Sequence, residues 1–252
     1  MSINDYAFGI DISHWNGAVN FDVIKAHQPK VCFIAAKATE SDYFKDDKFD
    51  YNWAGMKRIG VGRIAYHFVR FNKEAQPQVN KLLSATTDWD WEHDRIALDC
   101  EVAGGVSWVK ITEIVAQAMQ LLKQRTGRYP IIYSRKNWVD LHLDPSVTPI
   151  DQADWWLANY LANVEYPNYQ NEKMPPPPLP EGASKWLIHQ TGSQCRPIGV
   201  ASHYLDYNRW NGTEADVRQY FGMDASKPEP VPEPPLERKV ELLWEAHPEL
   251  HG

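Results

Sequence analysis

The sequence predicts an α/β protein whose strands close into a barrel with incomplete helical cover. Three observations carry this. Short apolar runs of strand length alternate with segments whose apolar residues recur at helical spacing. About eight such runs share at most five helical crossovers, which suits a closed barrel better than an open doubly wound sheet. No glycine-rich phosphate fingerprint follows the first run, which also counts against a nucleotide fold.

The elements follow in order. AFGIDIS (7–13) reads as a first strand and FDVIKAHQ (21–28) as a helix. VCFIAAKAT (31–39) is a second strand, followed by helical spacing over 47–60. GVGRIAYHFV (60–69) is a third, with a helix over 75–89, and RIALDCEV (95–102) is a fourth. SWVKITEIVAQAMQLLKQRTG (107–127) is a long helix: Gly127 follows a basic last turn and Pro130 prevents a restart before the fifth strand, YPIIYS (129–134). Four strand–helix–strand repeats imply parallel neighbours, because parallel strands need a crossover.

Past residue 150 the rhythm changes. DWWLANYL (154–161), KWLIHQTG (185–192) and SHYLDYN (202–208) read as strands without clear helices between them. MPPPPLP, with Pro175 to Pro180, reads as a stiff extended excursion. The expected organisation is a catalytic barrel over 1–222, a Pro/Glu-rich linker over 223–235 and a short helical segment over 236–252 that is too short to fold alone.

Composition narrows the function. A net charge of -7 with no Lys/Arg cluster argues against nucleic acid. No apolar run approaches the roughly 20 residues of a membrane helix. The opening MSINDYAFGIDIS lacks a basic patch followed by an apolar core, so synthesis in a cytoplasm without a secretory signal is expected. Cys32, Cys100 and Cys195 are odd in number and far apart, and read as reduced thiols rather than disulfides or zinc ligands. No cofactor is expected, and a monomer is the default. Eleven Trp and twelve Tyr exceed ordinary core needs; most read as core, and some as walls of a groove for sugar rings.

RIALDCEV raises the chemical question. On a strand, residues i and i+2 share a face, so Asp99 and Glu101 point one way and Cys100 the other. The C-terminal strand ends of a barrel collect catalytic groups. Asp11 closes the first apolar run and Asp206 lies in the last, and first and last strands of a closed barrel are neighbours. Four carboxylates in one concave site raise the pKa of at least one of them, as general-acid cleavage of a glycosidic bond requires. Glu101, with the longer reach, is assigned the acid, and Asp99 a nearby orienting or charge-stabilising role. Asp-x-Glu alone also fits a solvated sheet edge or a metal site. His14, His67, His189 and His203 lie near strand ends, but without the spacing of a zinc motif.

These residues also resemble a known family. GIDISHWNGAVNFDVIK, FIAAKATE, NWAGMKRIGVGRIAYHF, LDCE, GRYPIIYS, WWLANY, IHQT and LDYNRWNG are similar, in that order, to segments of glycoside hydrolase family 25, the Chalaropsis-type lysozymes. They span about residues 8 to 212. The resemblance implies a flattened, irregular TIM-like barrel of about eight strands and five helices. It implies hydrolysis of the β-1,4 bond between N-acetylmuramic acid and N-acetylglucosamine in the peptidoglycan glycan strand, without a metal. It maps the acid onto Glu101 and its companion onto Asp99, with Asp11 and Asp206 as the further carboxylates. Tyr66, Tyr133, Trp156, Tyr160, Gln190 and Glu40 match positions expected to bind substrate. Two departures stand out: Glu40-Ser41 where the family commonly has Glu-Gly, and the MPPPPLP insertion.

For the mechanism, assistance by the substrate's own N-acetyl group, oriented by Asp99, is expected over inversion or a protein nucleophile. The alternatives of another class are a wall-binding module with a dead site and a hydrolase of a related aminosugar polymer such as chitin. The organisation and the absence of a signal fit a phage endolysin that reaches the wall once the membrane is permeabilised; a virion-associated or prophage enzyme fits as well.

Overall fold

The computed structural model describes residues 6–160 and 175–223. The expected linker beyond residue 223 and the helical segment 236–252 lie outside the described residues. Eight strands close a barrel: β1 (Phe8–Ile12), β2 (Val31–Glu40), β4 (Gly62–Phe68), β5 (Arg95–Asp99), β6 (Ile131–Ser134), β7 (Asp154–Ala158), β8 (Ile188–Cys195) and β9 (Leu205–Trp210). Closure comes from β1, which pairs with both β2 and β9. A two-residue strand, β3 (Phe44–Lys45), hangs on the edge of β2.

Five helices serve the crossovers up to β7: α1 (Phe21–Ala26), α2 (Phe49–Ile59), α3 (Ala75–Leu83), α4 (Trp108–Thr126) and α5 (Lys136–His142). A sixth, α6 (Glu214–Tyr220), follows β9. The long α4 ends where expected, with Gly127 in the left-handed conformation (φ 79°) and its N–H on the Lys123 carbonyl at 3.0 Å. The short α5 and α6, of seven residues each, are not anticipated from the sequence.

The barrel strands β1, β2 and β4 through β8 run parallel, as the crossovers require, but β9 is antiparallel to both of its neighbours, as the short β3 is to β2. This corrects one expectation. Asp206 stands near the start of its strand, not at a C-terminal end, and reversal of β9 is what brings it to the same rim as the ends of the parallel strands.

Alternation along each strand builds two apolar layers. On β1, Phe8, Ile10 and Ile12 face outward into the core beneath the helices. Gly9 faces the lumen, where a Cβ would lie 2.4 Å from the Phe33 ring, so only glycine leaves that ring its place. Phe33 in turn packs edge-on against Trp210 at 5.4 Å. Phe221, just past α6, closes the end of the barrel opposite the carboxylates, against Gly62 and Trp210. A buried bidentate pair, Arg63 with Asp94 at 2.8 and 3.0 Å, ties β4 to the segment entering β5 at that same end.

Candidate active site

The opposite rim carries a cleft of about 240 Å³. Asp11, Asp99, Glu101 and Asp206 all line it, together with Tyr66, Tyr133, Trp156, Tyr160 and Gln190. Period-two alternation explains the convergence. Asp11 ends the lumen face of β1, Asp99 ends β5, and Glu101 lies two residues on, while Cys100 is buried beneath the helices.

Asp11 and Asp206 are direct register partners on antiparallel strands. Asp11 is buried and accepts Gln190 Nε2 and Asn208 Nδ2, each at 2.8 Å. Burial raises the Asp11 carboxyl above its ordinary range against the lowering effect of these bonds. Burial, then the charge of Asp11, pushes Asp206 up to about 9. Burial and the proximity of the two carboxyls thus favour a proton held by the Asp11–Asp206 pair.

Several cleft-lining residues expected to touch sugar also fix this pair. Tyr133 Oη and Tyr160 Oη both donate to Gln190 Oε1, at 2.8 and 2.7 Å, which turns the Gln190 amide nitrogen toward Asp11. Trp156 Nε1 donates to Asn208 Oδ1 at 2.7 Å and orients that amide likewise. Asn208 was legible in principle, since it is two residues from Asp206 and on the same strand face. Tyr66 stands edge-on to Trp156 at 6.4 Å, and its hydroxyl makes no hydrogen bond among the described residues.

Asp99 is held differently. It is buried, and its Oδ1 has no hydrogen-bond partner. Burial, then the charge of Glu101, raises it well above the ordinary carboxylate range, and Lys37 pulls it back down. Glu101 is less enclosed, and its Oε2 lies 3.4 Å from Arg135 Nη2.

Glu40 does not line the cleft. It accepts Lys37 Nζ at 2.7 Å and both Nε and Nη2 of Arg70 at 2.9 and 2.6 Å. Burial pushes the Glu40 carboxyl up, but these two cations outweigh it and hold it below its usual value. Glu40 thereby positions Lys37, the one cation lining the cleft among the described residues, whose ammonium also sits 5.0 Å from the Phe68 ring centroid. The sequence reading missed Lys37, Ser13, Phe68 and Trp15 as lining residues. Lys37 had a signal: a lone charge inside the apolar run FIAAKATE. Trp15 is 79% exposed at the cleft edge, where an indole face is open to a ligand.

The histidines take structural places. His67 is buried between Thr39 and Gln78, and burial lowers it to about 4. His189 bonds the Asn159 carbonyl and accepts Arg209 Nε, and burial lowers it to about 4 as well. His14 pairs with the buried Asp46 at 2.6 Å. Ser41 takes φ 56°, the left-handed conformation glycine adopts freely, with its N–H on the Phe68 carbonyl at 3.2 Å. The turn after β2 therefore keeps a glycine-type backbone despite the serine.

A family model for glycosyl hydrolases family 25 matches residues 10–200. Lysozyme M1 of Streptomyces globisporus is 26% identical over 216 residues, spanning 82% of this chain and 68% of its own length. The crystal structure of a bacterial lysozyme from Streptomyces coelicolor superposes with TM-score 0.72 at 26% identity, covering 84% of this chain and 94% of that one. The CTP1L endolysin shares the fold, with TM-score 0.65 at 20% identity over 86% of this chain and 70% of its own.

Proposed function

The chain belongs to family 25 of the glycosyl hydrolases, and from that premise we propose how its cleft cleaves the β-1,4 bond between N-acetylmuramic acid and N-acetylglucosamine in peptidoglycan. It is a glycoside hydrolase of the lysozyme type, a muramidase. Glu101 is the general acid, giving its proton to the departing glycosidic oxygen. The acetamide oxygen of the muramyl residue attacks the anomeric carbon as that bond breaks, and Asp99 accepts the acetamide N–H. The Glu101 carboxylate then takes a proton from the water that opens the oxazoline ring, so the anomeric configuration is retained.

The observation that carries this reading is the buried Asp99 carboxylate with an unpartnered oxygen. A desolvated acceptor without a donor gains most from a substrate N–H beside which positive charge develops. The Asp11–Asp206 pair, fixed by Gln190 and Asn208, is a rigid acceptor for sugar hydroxyls, and Trp15 offers its exposed face to a ring.

The protein acts on the bacterial cell wall. We read it further as an endolysin, working as a monomer on glycan strands and admitted to the wall by membrane permeabilisation. The fold shared with the CTP1L endolysin is compatible with that setting. Among the described residues no helix is long and apolar enough to cross a membrane.

The test is mass spectrometry of muropeptides released from purified wall by wild type and Glu101→Gln. Wild type should yield reducing-end muramic acid, and the variant should lose at least about two orders of magnitude in rate with an unchanged fold. Reducing-end glucosamine, or a fully active variant, would overturn the assignment.

A further inference from the structure

A second concavity of about 220 Å³ opens beside the cleft, on the segments that follow β6 and β7. Arg135, Lys136, Asn137, Asn159, Tyr160 and Pro178 contribute to its wall. Tyr160 also lines the cleft, so one ring is common to both. Arg135 is a second link, since its Nη2 reaches Glu101 across 3.4 Å.

The two concavities are opposite in chemistry. The cleft has four carboxyl groups and a single ammonium. Its neighbour has a guanidinium, an ammonium and two amides, and among the described residues no carboxyl lines it. The donors are largely uncommitted. Arg135 engages Glu101 through Nη2, leaving Nε and Nη1 free among the described residues. The side-chain amides of Asn137 and Asn159 make no hydrogen bond among the described residues. Lys136 pairs along α5 with Asp140, which is outside the pocket wall and also accepts the Glu181 N–H at 2.9 Å.

A donor-lined pocket on a chain of net charge -7 selects an anion locally, where the molecule as a whole repels one. The sugar rings of the glycan strand carry no formal charge. The muramyl residue does carry an anionic appendage: a short peptide, amide-linked to its lactyl group, with free carboxylates. A muramyl ring seated against Asp99 and Glu101 holds that appendage within reach of the adjoining rim. We propose that the pocket of Arg135, Lys136, Asn137 and Asn159 is a subsite for a carboxylate of the peptide stem. The inference rests on the muramidase reading and adds that the enzyme discriminates stem-bearing from bare glycan.

The experiment compares soluble glycan strands with stems intact, the same strands with stems removed by an amidase, which leaves only the lactyl carboxylate on the muramyl ring, and stem-bearing strands stripped of teichoic phosphate by hydrofluoric acid. Wild type, Lys136→Glu and Asp140→Asn are assayed on each. On stem-bearing strands Lys136→Glu should raise KM about fivefold with kcat kept. On stem-free strands it should match wild type, which also certifies its fold. Asp140→Asn, which breaks the same helix pair but leaves the pocket donors, should not raise KM. Phosphate removal should leave the Lys136→Glu effect intact. An equal loss on stem-bearing and stem-free strands, no loss on either, or a loss abolished by phosphate removal would overturn the subsite. A wild type inactive on all three strands would instead overturn the muramidase reading itself.

Discussion

Asp11 and Asp206 face one another across the seam where antiparallel β9 meets β1, and one proton serves both. Burial with a like charge beside it holds the Asp206 carboxyl near 9, far above its ordinary 3.8. Folding therefore takes up a proton throughout the interval between these values, and stability falls as pH rises from about 4 to about 9. Asp206→Asn removes the titration and keeps a donor toward Asp11. Its melting temperature should depend less on pH, and near pH 8 it should exceed wild type by about 2–4 °C. Parallel melting curves for the two proteins would show that the pair does not share a proton.

Lys37 opposes the burial of Asp99. Its ammonium, held by Glu40 and backed by Arg70, favours the Asp99 carboxylate over the acid. In Lys37→Met that support is gone, and the Asp99 pKa moves further up. The acidic limb of the kcat/KM profile, where Asp99 must ionise, should shift to higher pH. An unmoved limb with lower activity at every pH would mean that Lys37 only contacts substrate.

Asp99 tests the substrate-assisted route directly. Asp99→Asn should lower kcat by about 10²-fold or more while KM changes little, because the contact strengthens only as charge develops on the acetamide. Glycan de-N-acetylated at the muramyl residue should be cut by wild type at least about tenfold more slowly. Cleavage of both glycans at one rate, or an inverted product anomer, would rule the route out.

What was legible in the sequence and what was not follow from one distinction. Alternation is local, so Asp99 and Glu101 could be placed on one face with Cys100 behind them, and Asp11 at a strand end. Strand direction depends on distant partners, so the reversal of β9 was invisible even though its nearness to β1 was not. Side-chain roles depend on the third dimension too. Gln190, Tyr133 and Trp156 are expected at the site as sugar contacts; they line the cleft, and what the sequence does not show is that each also turns its polar group to the network around Asp11. Glu40 was foreseen at the substrate and stands one layer back, behind Lys37.

Ser41 offers a test of backbone strain apart from catalysis. At φ 56° a residue with a Cβ pays a conformational penalty of roughly 1–2 kcal/mol, which glycine does not. Glycine loses more chain entropy on folding, about 0.5–1 kcal/mol, and the substitution also removes the bond from Ser41 Oγ to Asp42 at 3.1 Å. Ser41 is buried, but the first term is the larger, because the acceptor Asp42 is partly exposed and water replaces the hydroxyl there. Ser41→Gly should therefore raise the melting temperature by about 1–3 °C and leave kcat unchanged, since its side chain does not line the cleft. A clear drop in melting temperature would show that the serine hydroxyl, not the backbone angle, governs this turn.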